Sequence, residues 1–129
     1  MSVRLRILFA FALASAGLAR AAEEDPAARA QIEAAHGIFA KGFYELALSE
    51  YAKYLQWFPQ APGVEEAIYR SGECLRALGK SAEARLRYEE VLRRFSAGAF
   101  AARADYRLAE MLAAEGKPAE AAARFAAAA

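Results

Sequence analysis

Three glycines, Gly42, Gly79 and Gly116, stand 37 residues apart, and the residues around them keep the same step. Ala47, Ala84 and Ala121 each follow their glycine by five places, and Tyr51, Tyr88 and Phe125 each follow that alanine by four. A fixed period of this size, carried by helix-favouring residues, marks stacked helical repeats, in which each unit covers its apolar face with its neighbour. The pattern is cleanest from Gly79 to Phe95, where Ala84, Tyr88, Val91, Leu92 and Phe95 share one helix face.

Composition supports the same class. The chain has neither threonine nor asparagine and few β-branched residues, which leaves little from which to build strands. The expected fold is all-α. Asp25-Pro26 reads as an N-cap followed by proline at the first helical position, opening a helix that runs to about Lys41. Further helices are expected at about Phe43–Trp57, Val64–Leu78, from Ser81 (a possible cap) to Phe95, at about Phe100–Glu115, and from Pro118 onward. Their inward residues are Ala47, Tyr51, Tyr54, Leu55 and Phe58 on the second helix, Ile68, Gly72, Leu75 and Leu78 on the third, and Leu108 and Leu112 on the fifth. The outer face of the fourth carries Arg85, Arg87, Glu89, Glu90, Arg93 and Arg94. Glu89–Arg93 and Glu90–Arg94 are i,i+4 pairs in the favourable order, so the face reads as solvated rather than as an anion site.

The N-terminal region has another purpose. Arg4 and Arg6, the apolar run Ile7–Ala19 and the small-residue site Ala19-Arg20-Ala21 form the three parts of a secretory signal peptide over residues 1–21. That apolar run, 13 residues between Arg6 and Arg20, falls short of the roughly 20 needed to span a bilayer. An acidic tail, 22–28, leads into repeats at about 29–62, 65–99 and 100–129, the last truncated. Residues 1–21 hold three of the seventeen basic residues and none of the sixteen acidic ones, leaving a net charge of −2. Nothing in that balance favours nucleic acid or an anionic membrane; membrane contact is expected only through the signal peptide before cleavage. With Cys74 as the single cysteine, no internal disulfide can form.

Catalysis finds few groups to work with. There is one histidine, His36, one cysteine, and two aspartates, Asp25 and Asp105. No HExxH, CxxC, GxSxG or phosphate-binding glycine loop is present, and Gly79-Lys80-Ser81 lacks the upstream glycine and strand of a phosphate loop. The chain reads as a non-enzyme without cofactor, metal or small-molecule substrate, and Cys74 as a small buried apolar residue.

Taken with Pro59 after the first A-x3-Y segment, the three A-x3-[YF] segments resemble the second helix of tetratricopeptide repeats. Ala35, Gly72 and Ala109 hold the small position of the first helix, and Ile38, Leu75 and Leu112 the place of its tyrosine, while Gln31, Ile68 and Asp105 stand where the family has tryptophan. The resemblance covers about residues 28–129. It implies a right-handed superhelical solenoid of antiparallel helix pairs, about three repeats long. The 37-residue period and the segments Ala67–Glu73 and Ala104–Glu110 are similar to repeats of bacterial envelope proteins, namely the Tol–Pal-associated periplasmic protein and the outer-membrane assembly lipoprotein. Ala22 follows the proposed cut, where the lipoprotein has its lipidated cysteine. A periplasmic role in envelope assembly or maintenance is what that likeness implies.

By the family's practice the first helix of each pair lines a concave face that holds a protein or extended peptide. The positions so marked are Arg29, Ile32, His36 and Phe39; Glu66, Tyr69, Glu73 and Arg76; and Arg103, Tyr106 and Glu110. Tyr69 and Glu73 recur as Tyr106 and Glu110, a ladder of hydroxyls and carboxylates suited to a peptide. The same tyrosines could instead pack between repeats, with Glu73 and Arg76 paired locally, and the sequence leaves both readings open. A second functional reading is a spacer or oligomerisation module of a larger protein continuing past Ala129.

Overall fold

The structure, a computed structural model, describes residues 24–129; the proposed signal peptide and the start of the acidic tail lie outside them. The described residues form six helices and no strand: α1 (Pro26–Ala40), α2 (Tyr44–Trp57), α3 (Val64–Ala77), α4 (Ser81–Arg94), α5 (Ala101–Ala114) and α6 (Pro118–Ala128). Each helix packs on the next one in the chain, giving three consecutive helix pairs. The helix limits fall within a residue or two of those expected. The first helix opens at Pro26 as expected, so residues 26–28 of the tail are helical, and one detail differs: Lys80 rather than Ser81 occupies the N-cap of α4, without a side-chain cap bond. Asp25 caps α1 as expected, its carboxylate accepting from the Ala27 amide at 2.8 Å.

The three periodic glycines do the same work at the three corners. Gly42, Gly79 and Gly116 have φ of +80°, +76° and +76°, a left-handed conformation that a Cβ disfavours. In each corner the glycine amide donates three residues back and the next amide donates five residues back. The bonds are Gly42 to Phe39 and Phe43 to Ile38, then Gly79 to Arg76 and Lys80 to Leu75, then Gly116 to Ala113 and Lys117 to Leu112. This is the Schellman closure, which satisfies helix-end carbonyls while turning the chain sharply. Paired helices separated by three-residue corners follow.

Between the paired helices lie small residues. Ala35, Ala47, Ala84, Ala109 and Ala121 are all buried, and they let the helix axes approach while Tyr51 and Tyr88, both fully buried, fill the space between pairs. Gly72 faces Tyr88 so closely that a Cβ there would sit 2.7 Å from the ring. Two inward expectations fail. Leu78 is 37% exposed at the α3 corner, and Phe125, one period beyond Tyr88, is also 37% exposed, because no further helix pair covers it among the described residues.

On the outer face of α4, Glu90 pairs with Arg94 (3.1 Å) and Arg87 (3.0 Å), whereas Glu89 and Arg93 form no such pair among the described residues. No described helix is long and apolar enough to cross a membrane.

Two glycine substitutions separate packing from propensity. Gly72→Ala should destabilise the fold by about 1–3 kcal/mol, the usual range for an overpacked core. Gly37→Ala, mid-helix with open space at its Cβ, should stabilise by about 0.5–1 kcal/mol. Urea unfolding of both variants checks the pair.

Candidate functional site

The positions marked for a concave face do not form one continuous lining. Ile32, Tyr69 and Glu73 are 7%, 5% and 8% exposed, so each presents little surface of its own. Tyr69 lies between two aromatic rings, Tyr88 of α4 at 5.8 Å and Phe100, the N-cap residue of α5, at 5.3 Å. Glu73 is enclosed by Tyr88 and Arg107. Of the two open readings, packing between repeats holds for Tyr69 and Glu73, which belong to the joint between the second and third pairs, while Tyr106 and Glu110, one period on, remain outside it.

Glu73 is the centre of that joint. The Tyr88 hydroxyl donates to its Oε1 at 2.5 Å, and the Arg107 guanidinium donates twice, from Nε to Oε1 and from one terminal nitrogen to Oε2, each at 2.9 Å. Arg76, three residues along α3, adds an ion pair at 3.5 Å. Burial by itself would raise the Glu73 carboxyl, but the Arg107 and Tyr88 hydrogen bonds outweigh it and hold the group below its ordinary value. The Tyr88 phenol is pushed well up, first by burial and then by its bond to Glu73. A forked guanidinium meeting a buried carboxylate in this way fixes orientation as well as adding energy.

Arg107 was not among the expected site residues, although Arg70 stands one period before it. That pair was the available signal. The two arginines occupy the same helical position and meet different partners. Before Arg107 the α3 positions hold Glu73 and Arg76, so the guanidinium takes the carboxylate. Before Arg70 the corresponding α1 positions hold His36 and Phe39, and Arg70 lies over the Phe39 ring at 5.2 Å while pairing with Glu66 at 3.3 Å. The first joint is correspondingly less ionic. Its buried Tyr51 hydroxyl is bonded to His36 Nδ1 at 2.6 Å, with Glu66 3.7 Å from the other ring nitrogen.

Each joint also satisfies the amide at the start of the incoming helix, by a different side chain. The Gly63 N–H donates to the Tyr54 hydroxyl at 3.1 Å, and the Phe100 N–H donates to Glu65 Oε1 at 2.8 Å. Neither acceptor was foreseen, since neither recurs at the period.

What stays accessible is concentrated on the last pair. Arg103, Tyr106 and Arg107 of α5, with Tyr69 as floor and Ala128 of α6 opposite, line a depression of about 340 Å³. Tyr106 is 48% exposed. The Arg103 guanidinium lies 5.1 Å from the Phe100 ring centroid, and no carboxylate lies within 4.0 Å of it among the described residues. Arg29 sits apart at the other end, paired with Glu24 at 2.8 Å. A separate apolar hollow is lined by Phe43, Leu46 and Leu78 at the first corner; one period later the same positions are Lys80, Glu83 and Glu115.

Cys74 is buried, and burial raises its thiol to about 11, which removes thiolate reactivity at neutral pH. No group of three or more histidine, cysteine, aspartate or glutamate side chains placed to hold a metal occurs among the described residues. Comparison of the chain with protein-family models gives no match, and comparison with curated proteins gives none.

Because the folded pKa of Glu73 is depressed, its contribution is complete above the unfolded carboxyl value and is lost as pH falls through the folded one. Glu73→Gln should cost about 2 kcal/mol at pH 7, the order of a lost charge-assisted bond. The variant should also show a shallower loss of stability below its ordinary value of 4.5, measured as urea midpoint against pH.

Proposed function

We propose that this protein is an exported, non-catalytic scaffold of tetratricopeptide type that binds a protein or an extended peptide on the face formed by α1, α3 and α5. The observation that carries the reading is the depression beside Tyr106, where an exposed aromatic edge adjoins the Arg103 guanidinium. Aromatic area with an adjacent donor fork is the combination that anchors peptide segments, and a forked guanidinium selects carboxylates. The favoured ligand is accordingly an acidic peptide segment or a chain terminus. His36 (partly exposed), Phe39, Glu66 and Arg76 extend the same face at lower density.

Export rests on the three-part leader in residues 1–21, and a periplasmic envelope role follows from the similarity of the 37-residue repeats to envelope proteins. In fractionated host cells the processed chain should begin at Ala22, read by N-terminal sequencing.

Selection from a random peptide display library tests the binding face. Acidic sequences should be enriched, and their binding should fall about tenfold with Tyr106→Ala or Arg103→Glu, the scale of one anchor contact. Arg93→Glu, on the outer face of α4, should leave binding unchanged. Equal binding by all of these variants would place the ligand elsewhere.

A further inference from the structure

We propose that His36 and Glu66 form a carboxamide-reading point on the binding face, where His36 Nε2–H donates to the carbonyl and Glu66 accepts the N–H of an asparagine or glutamine side chain. The inference rests on the peptide-binding reading above. It adds a second point of recognition, on the first two helix pairs and away from Arg103.

Tyr51 decides which nitrogen of His36 carries the proton. Tyr51 is fully buried, and among the described residues its hydroxyl has one hydrogen-bond partner, His36 Nδ1 at 2.6 Å. Burial pushes the phenol well above its ordinary value, so it keeps its proton at neutral pH. A proton on Nδ1 would turn that phenolic hydrogen into an interior with no acceptor, at a cost of about 1–3 kcal/mol. The phenol therefore donates, Nδ1 accepts, and the ring proton of the neutral imidazole sits on Nε2. Held by a buried partner on one side, His36 shows a defined donor on the other.

That donor stands beside a carboxylate without closing on it. Glu66 Oε2 lies 3.7 Å from Nε2, beyond hydrogen-bond distance, and the two side chains are 34% and 30% exposed. Arg70 holds Glu66 through the other oxygen, at 3.3 Å, and Oε2 accepts no hydrogen bond among the described residues. An N–H donor next to a free carboxylate oxygen matches a group that offers a carbonyl and an N–H together, which is a carboxamide. A ligand carboxylate at the same point would set oxygen against Glu66 and bring it no donor, the mismatch that a site built for hydrogen bonding rejects strongly. One period on, Arg103 stands in the place of Glu66. The face thus reads an amide at one register position and an acid at the next.

His36 is the single histidine of the chain, so nitrogen NMR reports its tautomer without assignment. At about pH 8, where imidazoles are neutral, the full chain should show the proton on Nε2 and a hydrogen-bonded Nδ1, and Tyr51→Phe should remove that bond. For recognition, a random peptide library is panned on the full chain. Enriched peptides should carry asparagine or glutamine at a constant offset from their acidic residues. Replacing that amide by its acid should weaken binding about tenfold or more. Glu66→Gln in the protein, which offers the acid an N–H and releases Arg70, should abolish or reverse the preference with helicity unchanged. A proton on Nδ1 overturns the proposal whatever the peptides do. Acidic peptides without an amide preference, or a preference indifferent to Glu66→Gln, overturn it while the acid-binding reading stands. Absence of any enriched peptide overturns both.

Discussion

Tyr51 and Tyr88 fill the space between helix pairs, and each can be buried only because its hydroxyl is answered. An unpaired phenol in that position would cost about 1–3 kcal/mol; here one hydroxyl bonds to His36 and the other to Glu73. Much of the second joint is a consequence of that second choice. A carboxylate that accepts from a buried tyrosine is itself buried, and a buried charge needs a counter-charge. Arg107 supplies it from the following pair, so satisfying one hydroxyl ends by locking two repeats together. In the first joint histidine takes the place of glutamate, and Arg70 packs on the Phe39 ring while pairing with Glu66 of its own helix.

This dependence on neighbours explains what could be read from the chain and what could not. The corners at Gly42, Gly79 and Gly116, the six helices and the small residues at their interfaces are set by local backbone requirements and by helical spacing, both of which are visible in sequence. The exposure of the candidate site was less legible. Tyr69 and Tyr106 occupy the same register position and share the same flanking pattern, yet one is covered by Phe100 and the other is not. Whether a residue in a repeat lines a surface or a joint depends on what the next repeat brings, 30 or so residues away, and the period alone does not carry that information. Phe125 is exposed for the same reason, and Leu78 because it stands at a helix corner. The amide acceptors Tyr54 and Glu65 escaped notice because they solve one problem with two unrelated side chains.

The outcome for the candidate site is a contraction. Eleven positions spread over three pairs reduce to a cluster around Arg103 and Tyr106, with a flanking strip at His36, Phe39, Glu66 and Arg76 and a separate, ion-paired Arg29. Ile32, Tyr69 and Glu73 move from recognition to construction. The aromatic and cationic character that suggested a peptide surface persists, in a smaller area and nearer one end of the array.

The two joints also differ in how they answer to their surroundings. In the first, the links across the joint include a phenol–amide bond and a guanidinium over a ring; in the second, two carboxylates, Glu65 and Glu73, take the corresponding roles. The second joint therefore hangs on a buried carboxylate, Glu73, at the place where the first joint has His36. A chain built of units in one register thus joins them by different chemistry at its two ends, which the repeat pattern does not announce.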